Sequence, residues 1–322
     1  MEEKLSWIAK EIKTVIASAP GKIILSGEHA VVYEKPAILA ALNRRLSVSL
    51  NPASATEVVI SENPELAKFA LNFGLKALGE PQEKLKLEIF STISVGCGMG
   101  SSAALAAAIT AALFKYLNRP FGKKKVNEIA HEIERKQHGN PSGGDNTVSF
   151  YGGFLWYRKE TEFLKIFKTL RFRSAKLPRF VLINTGRPLE TTGEMVADVR
   201  KLYDQNKSQT EKILERTEKV TKKVLLALMA FNQKQLIEAI KENEKLLEEL
   251  GVVSPLAEEI VKEIEKAGGA AKISGAGGKR KGSGILLSFH REKEILWEIA
   301  KKRNLDAFEV KLGKEGVKIE RS

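Results

Sequence analysis

Residues 95–110, "VGCGMGSSAALAAAIT", constrain this 322-residue chain more than any other stretch, because Gly96, Gly98 and Gly100 alternate directly before a helix starting at Ser101 or Ser102. The preceding "KLKLEIFSTISV" is strand-like, and "SSAALAAAITAALFKYL" is an alanine-rich helix ending near Asn118-Arg119-Pro120. Glycines let backbone N–H groups surround an anion, and a helix start adds unpaired donors and a favourable dipole. The loop can therefore wrap a polyphosphate; the blander reading is a glycine turn capped by Ser101. Spelling excludes the two commonest nucleotide loops. Gly100 is followed by Ser101-Ser102 with no Walker lysine, and the order is G-x-G-x-G, with "NRPFGKKK" where a dinucleotide fingerprint needs an acid.

A nucleotide site of this kind must take its cation from elsewhere. Lys22, in "APGKIILSGEH", follows a Pro-Gly break at the start of a strand, where a lysine is ordinarily solvated. Magnesium bridging phosphates needs hard oxygen ligands, which Ser101, Ser102 and a carboxylate such as Glu134 supply; "HEIERK" also reads as an exposed helix face. In "HGNPSGGDNT", three glycines and a proline surround Asp145, which is either a helix N-cap or a carboxylate that a substrate hydroxyl can reach. A third loop, "KISGAGGKRKGSGI", combines small residues at 275–278 with Lys279, Arg280 and Lys281, which suit a phosphate or a solvated hairpin tip.

Along the chain, "TVIASAPGKIILSGEHAVVY" reads as two strands joined by a tight turn, "RRLSVSL" and "EVVIS" as strands, and "LAKFALNFGLKAL" as a helix. "KKVNEIAHEIERKQH" is helical and "GGFLWYRK" an aromatic strand. The pattern restarts near Leu177-Pro178 with the strand "RFVLINTG", helices through about Glu249, a helix at 255–266, then "AAKISGAGG", "GILLSF", "EKEILWEIAKKR" and "AFEVKLG". The expectation is an α+β protein of two domains, 1–176 and 177–322.

Composition narrows the class. Apolar residues make up 43% and charged residues 29%, as in ordinary globular chains. Cys97 alone excludes an internal disulfide, "MEEKLSWIAKEIK" lacks a signal-peptide pattern, and the nearly apolar run 103–114 is too short to span a membrane, so a soluble cytoplasmic protein is expected. The net charge of +13 raises nucleic acid as a partner, but Lys and Glu interleave in "ERTEKVTKKV" and "IKENEKLLEEL", as on solvated helices. A basic RNA-binding module also leaves the glycine loops unexplained, and only 7% of residues are aromatic.

Taken in order, "APGKIILSGEHAVVY", "VGCGMGSSAA" and "KISGAGG" resemble the motifs of the GHMP superfamily of galactokinases, homoserine kinases, mevalonate kinases and phosphomevalonate kinases. Within it, "GEHAVVY" together with "GNPSGGDNTVSFYGG" is most similar to the mevalonate kinases. The resemblance implies an N-terminal domain like the second domain of ribosomal protein S5, a ferredoxin-like C-terminal domain, and an active site between them. It places the catalytic aspartate at Asp145 with Lys22 beside it, and Mg²⁺ on Ser102 and Glu134. The phosphate loop falls on Gly96, Cys97, Gly98, Met99, Gly100, Ser101, Ser102 and Ala103, and the C-terminal motif on Gly275, Ala276 and Gly277. Glu28, His29 and Thr192 fall where the family contacts its hydroxy acid.

The implied reaction is transfer of the ATP γ-phosphoryl group to the primary hydroxyl of (R)-mevalonate, with ATP and mevalonate as partners, no nucleic acid or membrane, and room for a homodimer. Phosphomevalonate or the 3-hydroxyl of mevalonate are the neighbouring alternatives. Two departures stand out: Val95 and Met99 replace a more usual proline and leucine, and Lys279-Arg280-Lys281 interrupts the third glycine run. The basic triplet is expected to meet nucleotide phosphates or the solvent near them.

Overall fold

The computed structural model describes residues 14–59, 63–138, 141–172 and 177–320. The N-terminal stretch through Lys13, residues 139–140 of the Asp145 loop, and residue 176 at the expected domain boundary lie outside them.

The first layer contains β1 (Val15–Ser26), β2 (Ala37–Pro52), β3 (Glu57–Val59), α1 (Pro64–Ala77), β4 (Leu85–Ser91), α2 (Ser101–Tyr116), α3 (Lys123–His138), α4 (Gly144–Tyr151), β5 (Phe154–Lys159) and β6 (Lys165–Leu170). Its sheet runs β1-β2-β4-β3, with β5 on the other half of the same β2 edge and β6 beyond it. Pro20-Gly21 is not the expected turn. The chain stays extended through it, and the register instead shifts between the Pro20–Arg45 and Lys22–Ala41 pairs. Such an irregularity re-aims side chains without ending the strand, and here it leaves Lys22 in mid-strand and buried. β2 begins earlier than "RRLSVSL" implies because residues 37–42 are buried on both faces, which erases the period-two signal.

α2 lies at the centre of this layer. Its residues from Ala103 to Phe114 are all buried, packed against β1, β2, α3 and α4. A helix apolar all round belongs inside a protein, and its many alanines let neighbouring backbones come close.

The second layer contains β7 (Phe180–Asn184), α5 (Thr192–Gln205), α6 (Lys207–Met229), α7 (Gln233–Glu249), α8 (Pro255–Lys266), β8 (Ala270–Ile273), β9 (Ile285–Phe289), α9 (Glu294–Lys302) and β10 (Ala307–Val310). Its antiparallel sheet has the order β10-β7-β9-β8. That is the split β-α-β order expected of a ferredoxin-like unit, and the mixed α+β architecture agrees with the sequence reading. No helix among the described residues is long and apolar enough to cross a membrane.

One element departs from the expected 177–322 unit. β11 (Lys318–Ile319) returns to the first sheet and pairs with Ala17 and Ser18 of β1. Arg45 secures this tail, donating to the carbonyls of Glu315 (2.9 Å) and Gly316 (2.8 Å). Two residues are too few to carry a strand pattern, so sequence alone does not reveal the crossing.

The layers meet along a buried polar seam. Lys272 donates to the Glu28 carboxylate and, at 2.7 Å, to the Ile273 carbonyl, with both charged side chains fully buried. Ser274 Oγ accepts from the Ile24 amide at 2.9 Å, and Ser26 bonds to Thr221 and Asn243. A buried pair is costly to break by halves, because the surviving charge has no water to return to. Lys272→Met alone is expected to lower unfolding free energy by about 3–5 kcal/mol, and Glu28→Leu/Lys272→Met together by much less; urea titration of the three proteins checks this.

Candidate active site

Two adjoining clefts, of about 440 and 330 Å³, share Gly96, Gly98, Ser101, Ser102, Thr192, Gly193 and Ala276 as walls. They form one groove between the layers. The larger part gathers Lys22, His29, Gly100, Glu134, Asp145 and Gly275, and the smaller adds Cys97 and Gly277. Residues scattered from 22 to 277 thus meet in one place.

The glycine loop is held from both sides. The Lys22 amide donates to the Met99 carbonyl (2.8 Å) and the Ile285 amide to the Cys97 carbonyl (3.0 Å). Gly100 has φ +72° and passes so close to Lys22 that a Cβ there would lie 2.6 Å from Lys22 Cγ. Gly98, with φ +87°, would place a Cβ 2.5 Å from the Ser274 carbonyl oxygen. Only glycine fits both positions.

Gly100, rather than Ser101, is the N-cap of α2, and it offers no side-chain cap. The first-turn amides of Ser101, Ser102 and Ala103 therefore open toward the groove at the positive end of a 16-residue helix, an arrangement suited to an anion. The Met99 and Ala103 side chains are fully buried, so these positions can offer only backbone.

Asp145 is likewise not an N-cap. Gly143 caps α4 and Asp145 sits in its first turn, which frees the carboxylate to form an ion pair with Lys22 Nζ at 3.1 Å. Glu134 lies beside them, hydrogen-bonded by Ser102. Burial and then the nearby Asp145 charge push the Glu134 carboxyl up to about 8, against the opposing Ser102 bond and Lys22 charge. Buried as it is, this carboxyl contradicts the exposed-face reading of "HEIERK".

His29 donates through Nε2 to the Ala276 carbonyl at 3.1 Å, because a carbonyl can only accept. Burial lowers its pKa to about 4, so the ring is neutral near pH 7. Nδ1 then carries a lone pair, buried and without a protein partner.

One expectation needs correction. Glu28 does not line the groove, since its carboxylate is committed to Lys272 in the seam below. Lys279 and Arg280 turn toward α5 and the loop before it, Lys279 Nζ pairing with Asp198 at 2.6 Å and Arg280 Nε with Glu190 at 2.7 Å. Neither lines either part of the groove.

Sequence reasoning also missed groove residues. Thr192, Val196 and Arg200 lie four residues apart on one face of α5, with Gly193 and Ala197 beside them. That helical spacing, extended from Thr192, was the signal that could have found Arg200. Arg187, packed against Gly96 of the glycine loop, is another.

Glu134 has a measurable signature. Its folded-state pKa lies above the unfolded value of 4.5, so its contribution to stability is fully present below about pH 4.5 and is lost as pH rises toward 8. Glu134→Gln is expected to remove up to about one proton's worth of slope from unfolding free energy against pH in that window. Denaturant titrations at several pH values measure it; an unchanged slope contradicts the assignment.

The likenesses to known proteins agree with this geometry. Residues 65–153 match the model of the GHMP kinases N terminal domain. A mevalonate kinase of Archaeoglobus fulgidus is 33% identical over 317 residues, covering 95% of this chain and 100% of that protein. A mevalonate kinase of Pyrococcus horikoshii is 31% identical, covering 96% and 98%. Among solved structures, L. major mevalonate kinase in complex with R-mevalonate superposes with a TM-score of 0.79 at 25% identity, covering 95% of this chain and 98% of that one. With the relatives spanning both layers and the groove between them, the chain belongs to the mevalonate kinase family of the GHMP kinases.

Proposed function

We propose that this protein transfers the γ-phosphoryl group of ATP to the primary hydroxyl of (R)-mevalonate, giving 5-phosphomevalonate and ADP. The observation that carries this reading is the 3.1 Å Lys22–Asp145 pair facing the uncapped start of α2 within one groove. Phosphoryl transfer asks mainly for alignment and charge neutralisation, and this arrangement supplies both. In this reading the division between domains lies near residue 176, supported by sheets built from either side of that point except for β11.

The phosphates of ATP lie along the glycine loop, with the first-turn amides of α2 directed at them and the 275–277 loop opposite. Mevalonate occupies the larger part of the groove, where Ile24, Val31, Val32 and Val196 give an apolar wall for its methyl and methylene groups. His29 and Thr192 line the space its hydroxyl groups occupy. Arg200, exposed at the rim, suits the carboxylate, for which a guanidinium offers paired donors. The substrate hydroxyl oxygen forms the new bond to phosphorus as the bond to the β-phosphate oxygen breaks. Asp145 accepts the hydroxyl proton, and Lys22, paired with that carboxylate at 3.1 Å, faces the transferring group.

The donor set also fits Mg²⁺. Glu134 and Ser102 are hard oxygen donors in contact, and no cluster of three acidic, histidine or cysteine side chains forms a self-sufficient cage among the described residues. Two protein ligands plus phosphate oxygens is the usual way this ion is held. When bound, it offsets negative charge on the phosphates.

A coupled assay with mevalonate, phosphomevalonate, galactose and homoserine tests the substrate, and only mevalonate is expected to turn over well. Asp145→Asn is expected to lower kcat by about 10²-fold or more with ATP binding nearly intact; near-normal turnover would refute the assignment. Arg200→Gln is expected to raise the KM for mevalonate by about tenfold or more, in line with loss of a charge-assisted bond, with kcat nearly unchanged. An unaltered KM places the carboxylate elsewhere.

A further inference from the structure

Beneath the turn that carries Asp145 lies a line of side chains that the reaction does not use directly. It starts at Lys165 on β6, whose Nζ is 2.7 Å from His131 Nε2. His131, on α3 and 9% exposed, places Nδ1 3.3 Å from Asn146 Oδ1. Asn146, the residue after Asp145, donates through Nδ2 to Asn127 Oδ1 at 2.9 Å, and Asn127 reaches Thr147 Oγ1 at 3.4 Å. Thr147 donates to the carbonyl of Gly143 at 2.5 Å, the N-cap of α4.

The direction of every bond in this line follows from its ends. A lysine ammonium has only hydrogens to offer, so His131 Nε2 must present its lone pair. The neutral ring then holds its hydrogen on Nδ1 and donates to Asn146 Oδ1, which turns the Asn146 amide group toward Asn127. At the far end the Gly143 carbonyl can only accept. Burial, and after it the Lys165 charge, lowers the His131 pKa and favours the neutral ring the line requires. The charged or polar groups facing that ring are Lys165, Glu132, Glu162 and Asn146, with the Tyr157 hydroxyl nearby.

The same residues hold the turn sterically. Gly143 has φ +84°, and a Cβ there would lie 2.9 Å from Tyr157 Oη, 3.1 Å from Lys165 Cε and 3.2 Å from His131 Cε1. Tyr157 donates to the Ser142 carbonyl at 2.6 Å. The first turn of α4 is thus fixed from below by β5, β6 and α3 while Asp145 faces the groove above.

We propose that His131 and Lys165 are positioning residues for phosphoryl transfer, setting the place of the Asp145 carboxylate through Asn146 and the first turn of α4. The inference rests on the reading of Asp145 as the group that meets the substrate hydroxyl. A displacement of about 1 Å at such a group is enough to lower turnover by about 10²-fold. Loss of one bond in the line, with the rest intact, is expected to lower it by about tenfold.

Two measurements test the proposal. Nitrogen NMR of the ¹⁵N-histidine-labelled protein near pH 7, without substrate, is expected to show His131 neutral with the hydrogen on Nδ1. A ring protonated on Nε2, or doubly protonated, overturns the line of bonds whatever the substrate proves to be. Steady-state kinetics of His131→Phe and Lys165→Met are expected to show kcat about tenfold lower with both KM values within about twofold. His131→Gln, whose amide can accept from Lys165 and donate to Asn146, is expected to recover most of the loss. Unchanged kcat in Lys165→Met, a half-buried position where folding is least at risk, overturns the proposal, as does a His131→Gln variant no better than His131→Phe.

Discussion

Everything in the groove depends on the glycine loop being gripped by both layers at once. The Met99 carbonyl is tied to β1 and the Cys97 carbonyl to β9, with Gly98 against the Ser274 carbonyl. The loop cannot move without shifting either sheet. It therefore delivers the start of α2, a helix N-terminus with no side-chain cap, to the line where the layers meet. α2 is in turn immobile because it is buried along almost its whole length.

On that frame, one acidic and one basic side chain meet beside the start of α2. Lys22 is buried by a register shift in β1, and Asp145 reaches it because a glycine, rather than the aspartate, caps α4. At Glu134, burial and the Asp145 charge raise the carboxyl above its ordinary range.

The third glycine loop shows how the chain absorbs a departure from its family's pattern. Its basic triplet interrupts the glycine run, yet Lys279 and Arg280 are matched by Asp198 and Glu190 across the groove's rim. Much of the remaining positive charge is handled similarly, in helical pairs such as Lys222–Glu218 and Lys262–Glu258. These exposed pairs add little stability individually.

The sequence by itself determined the glycine loop before α2, the α+β class, the family, and Lys22, Glu134 and Asp145 as candidate site residues, because glycine spacing and motif order are local and survive without coordinates. Other features were decided only by tertiary structure. Glu28 reads as a groove residue until Lys272, 244 residues away, claims its carboxylate. Arg200 joins the groove through the direction of one helix face, and β11 crosses to the first sheet with two residues that carry no pattern. Asp145 reads equally well as a helix cap until Gly143 takes that place and leaves its carboxylate to Lys22. Hydrogen bonds and burial compete across the whole chain, and a local pattern cannot tell which partner wins.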